Sequence, residues 1–116
     1  MSNNTVIDAT TFAELQEAAG ADFVAELVGT FFEEAPALLA ELRSARVAND
    51  ADRLRRAAHS LKSNGQTFGA LVFAALAREF ELRGLADDVA IDAAAIDKLD
   101  AAYGQAAAAL AELIRD

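Results

Sequence analysis

The chain has 116 residues, with ten Lys or Arg against nineteen Asp or Glu and a formal net charge of −9. That excess argues against nucleic acid, because grip on a polyanion depends on clustered cations releasing counterions. Hydrophobic residues make up 54% of the sequence, enough for one core, and no apolar run approaches the roughly 18 residues of a membrane span, so a single soluble globular domain over 1–116 without membrane contact is expected.

The predicted elements are all helical, since nothing alternates as a strand should. Residues 1–9 read as a flexible N-terminus. Leu15, Ala18 and Ala19 then suggest a short helix that starts after Thr10 or Thr11 and stops at Gly20. A second helix begins near Asp22 and carries Phe23, Leu27, Phe31, Leu38, Leu42 and Ala45 on one side. Pro36 lies in its interior, where a lost backbone bond and ring crowding predict a kink between Phe32 and Pro36. Only one of the adjacent Phe31 and Phe32 can face the core fully, which leaves the other for a docking surface. Ala48-Asn49-Asp50 breaks the pattern and supplies caps for a third helix from about Ala51 to Phe68.

That third helix has a seam of Leu54, Ala58, Leu61, Gly65 and Phe68, which step by four, three, four and three. Gly69 turns the chain into a fourth segment, where Phe73, Leu76, Phe80 and Arg83 share a side before Gly84 ends it. After the acidic link Ala86-Asp87-Asp88-Val89, Asp92 caps a last helix bearing Ile96, Leu99, Tyr103, Ala106, Leu110 and Leu113. Its alanine-rich stretch from Ala101 to Ala111 reads as a close-packing face. Four long amphipathic helices with short links predict an all-α, antiparallel up-down-up-down four-helix bundle with a short additional N-terminal helix. Each helix spends its apolar stripe on that bundle, so a monomer is expected.

The chain's one histidine, His59, lies about 140° around the third helix from Leu54, which is itself near the centre of the buried seam, so His59 is on the solvent side. Arg55, Lys62 and Gln66 fall within about 60° of it and share its exposed face. Arg53, Arg55, Arg56 and Lys62 make a cationic island in an acidic chain, suited to a phosphoryl group or a partner's carboxylates. Arg53, by contrast, reads as a solvated residue paired with Asp50 and Asp52. The absence of cysteine removes disulfide scaffolds, thiol catalysis and thiolate metal sites. The opening MSNNTVIDATT has neither the basic nor the apolar region of a secretory signal, which makes a cytoplasmic address the default.

The segment AHSLKSNGQTFGA resembles the signature of the histidine-containing phosphotransfer (HPt) family, A-H-x-L-K followed by small residues and a Gly-Ala pair. Ala58, His59, Leu61, Lys62, Gly69 and Ala70 all fit it. The flanks extend the resemblance from Leu27 to Gly84, with FFEEAPALLAELRSA before the motif and Phe73, Leu76, Phe80 and Glu81 after it. The resemblance implies that His59 is the phosphoacceptor, phosphorylated at Nε2, and that Glu81, where relatives have Gln or Glu, accepts a hydrogen bond from Nδ1. Lys62 would neutralise the transferring oxygens. Ser63 stands where many relatives have glycine and keeps the approach open.

The implied partners are response-regulator receiver domains, including the receiver of a hybrid histidine kinase; Ser63 is placed at the contact by the motif, and Arg55, Gln66 and Phe32 by helix geometry alone. No cofactor or metal is called for. No Gly-rich nucleotide-binding box is present, so the chain cannot phosphorylate itself. The competing expectations are a helical adaptor or inhibitor that docks on a receiver or kinase without carrying phosphate, and the excised phosphoacceptor domain of a chemotaxis-type kinase. The pairing of His59 with Lys62 favours the carrier, because a pure binder has no need of both.

Overall fold

A computed structural model describes residues 6–83 and 93–115. Among them there are five α-helices and no strand: α1 Ala9–Ala19, α2 Ala21–Ala48, α3 Ala51–Phe68, α4 Leu71–Arg83 and α5 Ala93–Leu113. α3 packs against α2 on one flank and α4 on the other, α5 packs on α2 and α4, and α1 lies on α2 and α3. Every buried residue described is apolar or glycine. At roughly 1.5–3 kcal/mol for each fully buried large aliphatic or aromatic side chain, that core is the main force holding the helices together.

Local chemistry fixes the ends. The Asp8 carboxylate accepts from Thr11 N at 3.0 Å and starts α1, a few residues earlier than the helix pattern alone suggested. Gly20, at φ 94°, closes α1 and opens α2. Asp50 accepts from Arg53 N at 3.1 Å and starts α3. Gly69, at φ 82°, ends it while Ala70 N donates to Gly65 O at 2.8 Å, a left-handed cap of the kind glycine permits. Ile7 is buried and Asp8 N donates to Gly69 O at 2.8 Å. Part of the stretch expected to be flexible is therefore tied to the α3–α4 turn, and residues 1–5 lie outside the described residues.

The seam of α2 is rotated from the expected one. Val24, Val28, Phe31, Ala35, Leu39, Leu42 and Ala45 are buried, whereas Phe23 is 52% exposed and Leu27 and Leu38 sit on the flank. The largest side chains had drawn the expected stripe, but a helix between α3 and α5 is centred by what fits between them, and smaller Val and Ala take those places. α2 also runs without interruption through Pro36, whose ring is on the exposed side. α3 has the expected bounds and adds Ala57 to its buried set. On α5, Leu113 is 45% exposed and Ile114 packs against the core in its stead. The expectations for the Arg83 side chain, the Gly84 stop, the acidic link and the Asp92 cap fall outside the described residues.

An aromatic cluster joins four helices. Phe31 of α2 lies 5.4 Å from Phe68 of α3, 6.0 Å from Phe73 of α4 and 5.5 Å from Tyr103 of α5, between ring centroids, within the range of favourable tilted and edge contacts. Beside it, Gly65 lets α4 approach α3. A Cβ there would stand 2.8 Å from Phe73 Cδ2 and 3.3 Å from both Ala70 O and Ala74 Cβ. Phe73 is locked in the core, so Gly65→Ala should lower stability by about 1–2 kcal/mol despite alanine's higher helix propensity. Gly104, inside α5 with open space around its Cβ position, should respond oppositely, gaining about 0.5–1 kcal/mol as alanine. Urea titrations of the two variants check the pair, and equal signs would refute the close-approach role of Gly65.

Candidate phosphoacceptor site

α3 presents His59 to solvent because its buried seam runs along the opposite side of the helix. The His59 side chain is 58% exposed, and Nδ1 stands 2.7 Å from Glu81 Oε2, across the α3–α4 interface. The other carboxylate oxygen, Oε1, forms an ion pair of 2.7 Å with Lys62 Nζ. One carboxylate thus engages both motif residues. Nε2 has no hydrogen-bond partner among the described residues.

Lys62 differs from its expected setting. Only 20% of its side chain is exposed, because at three residues past His59 it leans toward α4 and folds down onto Glu81 rather than standing in solvent. Glu81 itself is 24% exposed. Lys62 and then His59 hold its carboxyl below the usual carboxylate range, against the opposing effect of burial.

A shallow, open cleft spreads from this pair over α3 and α4, lined by Arg55, Arg56, His59, Ser60, Lys62, Arg78, Glu81 and Leu82. Arg55 is paired with Asp52 along α3, as expected of an i, i+3 neighbour. Arg53 departs from expectation: its guanidinium reaches Glu41 on α2 through Nε at 2.8 Å and Nη2 at 3.0 Å, and Ser44 Oγ at 2.9 Å. A planar fork matches a carboxylate better than a single capping oxygen can, so this pair fastens α2 to the first turn of α3. Glu41 was missed because its partner is twelve residues away, beyond a helix break.

On the α2 side of the histidine ridge, Ser60 and Asn64 meet Glu34, Ala37 and Leu38 in a second depression. Ser63 lies half-buried on the ridge, its carbonyl accepting from Thr67 Oγ1 at 3.0 Å, and Gln66 is exposed. Phe32 is not brought to this site. It stands eleven positions before Arg43, only about 20° away around the helix, and Arg43 pairs with Asp97 and Asp100 of α5. Phe32 therefore occupies the α5 flank of α2, whereas Leu38 of α2 shares a depression with Ser60, the residue after His59.

The sequence model of the Hpt domain family matches residues 26–112, well over half of the chain and through most of α5. The chain belongs to the Hpt domain family. Hpt domains are phosphotransfer carriers of two-component phosphorelays that work with receiver domains and are not themselves kinases. Comparison with curated proteins and with solved structures finds no match. Among the described residues, no helix is long and apolar enough to cross a membrane.

In this Hpt domain the ionised state of Glu81 carries a pH signature. A carboxyl whose folded value is depressed contributes stability that is complete above its unfolded value, about 4.3, and lost as pH falls through the folded value. Wild type should therefore be more stable than Glu81→Gln at neutral pH, with the gap closing in acid. Urea midpoints measured from neutral to acidic pH test this, and a gap that does not change with pH would contradict the ion pair.

Proposed function

We propose that the chain relays a phosphoryl group between receiver-domain aspartates, or from a hybrid histidine kinase to a response regulator, through His59. The observation that carries this reading is the 2.7 Å contact of Glu81 Oε2 with His59 Nδ1. A carboxylate there favours the tautomer with hydrogen on Nδ1, which leaves the lone pair on exposed Nε2. That lone pair attacks the phosphorus of an aspartyl phosphate, the P–O bond to the aspartate breaks, and the carboxylate leaves with its electron pair. The positive charge developing on the ring is balanced by Glu81. Transfer to the second aspartate reverses these events.

Lys62 neutralises phosphoryl oxygens in this reading, and Arg55, Ser63 and Gln66 belong to the receiver's footprint together with Leu38 in place of Phe32. The neighbour relations of α2 to α5, each touching two others around a common core, support an antiparallel four-helix bundle with α1 laid across it. The reading takes 1–116 as one monomeric domain working in the cytoplasm without cofactor or metal. A phosphate-free adaptor would have no use for a carboxylate that holds the histidine and the lysine at once.

The deciding experiment is a phosphotransfer profile, in which the protein is incubated with each phosphorylated receiver of its source and the loss of label is timed. One receiver should discharge fastest, and the label on the chain should be acid-labile and base-stable. His59→Gln should abolish labelling with unchanged helical circular dichroism, since the side chain is exposed. A labelled His59→Gln protein would end the proposal.

Ser63 tests how closely the receiver must come. It lies one turn past His59 on the same ridge, so Ser63→Tyr should obstruct exchange with the receiver while the fold stays intact. Ser63→Gly should keep or improve transfer at a helix-propensity cost of roughly 0.5 kcal/mol. Normal exchange by the tyrosine variant would remove close approach over this turn from the mechanism.

A further inference from the structure

We infer that the receiver is captured on the α4 side of His59, by a docking face made of Arg56, Arg78 and Leu82 that matches an acidic surface with an apolar centre. The inference rests on the relay reading above and adds to it the part of the molecule that selects the partner. Neither arginine follows from the histidine motif.

Charge pairing and position together single these residues out, since Arg46 and Lys98, the other described cations without an ion-pair partner, do not line the His59 cleft. Acidic residues outnumber basic ones nineteen to ten, and most described cations have taken a carboxylate. Arg43 has Asp97 and Asp100, Arg53 has Glu41, Arg55 has Asp52, Lys62 has Glu81 and Arg115 has Glu112. Arg56 and Arg78 are exposed, line the same cleft as His59, and have no ion-pair partner among the described residues. Glu41 feels Arg56 at longer range, but its two oxygens are occupied by Arg53. Leaving two cations unneutralised beside the histidine, in a chain with acid to spare, concentrates positive field at that point.

Leu82 adds an apolar anchor. It is 62% exposed and sits on the rim of the same cleft, next in sequence to Glu81. An exposed leucine that shares its cleft with guanidinium groups suits a mixed surface, in which apolar contact is accompanied by charge pairs. Rim charges of this kind act chiefly on association rate and partner choice. The face should therefore govern how fast the complex forms, while the chemistry stays with His59, Lys62 and Glu81.

The test uses the intact protein and the receiver that discharges fastest in the profile. Arg56→Glu with Arg78→Glu should slow transfer at low salt and limiting receiver by about tenfold or more and flatten its salt dependence, with the rate at saturating receiver unchanged. Lys98→Glu with Arg115→Glu makes the same change in net charge on and just beyond α5, and should alter the rate by less than about twofold. If the glutamate pair loses helical signal, Arg56→Gln with Arg78→Gln gives the same direction with a smaller amplitude. Leu82→Ser should raise the receiver concentration for half-maximal rate and leave the maximum unchanged. Equal slowing by both charge-reversed pairs, or none by either, overturns the docking face. Because wild type is labelled in the same assay, that result would leave the relay through His59 standing.

Discussion

The site depends on one carboxylate placed where two helices meet. Glu81 belongs to α4, yet both of its oxygens are committed to α3, one to the imidazole and one to the ammonium of Lys62. The two contacts have different consequences. The first orients the ring and fixes which nitrogen is free. The second removes a long, flexible lysine from solvent and holds it beside the ring, a loss of freedom that an exposed ion pair rarely offsets. Partial burial of both partners reduces solvent screening and makes the arrangement tenable.

Such contacts need α3 and α4 at a fixed separation, and the turn region supplies it. Gly65 has no side chain to hold Phe73 away, and Gly69 allows a left-handed turn whose carbonyl receives Asp8 N. Glycines in the motif are thus geometric parts of a site whose chemistry lies elsewhere on the helix. The Arg53–Glu41 fork does the corresponding work on the other flank, joining α2 to the start of α3. His59 is in this way carried on a helix fixed from both sides.

The bounds and the buried seam of the third helix were legible in the sequence, apart from Ala57, because its polar and apolar residues separate cleanly and Asp50 and Gly69 mark its ends. His59, Lys62 and Glu81 were legible through their resemblance to the HPt motif, and the geometry brings all three within contact. The orientation of Lys62 was not, since helical angle alone gives a direction from the axis and says nothing of a carboxylate on the next helix. In α2 the apolar residues are too evenly spread to define one stripe, so the expected stripe held the exposed Phe23 and left out the buried Val24 and Val28. Long-range pairs such as Arg53–Glu41 leave no periodic trace. Arg78 and Leu82 became notable only once α4 was seen to share a cleft with His59.

The pairing of Lys62 with Glu81 also bears on where phosphoryl charge would go. A phosphoryl group on Nε2 would add negative charge close to a carboxylate already held ionised, and one ammonium cannot neutralise both. Lys62 must then divide its interaction between Glu81 and the phosphoryl oxygens or exchange one for the other, and either course leaves residual negative charge at the mouth of the cleft. In the relay reading that balance rests on Lys62 and Glu81, and Arg56 and Arg78, the cations of that cleft with no ion-pair partner among the described residues, are left for the inferred docking of the receiver. A carrier whose docking cations are separate from those of its chemistry has a reason to keep them unpaired despite its surplus of acid, because they can then speed the encounter without altering the transfer step.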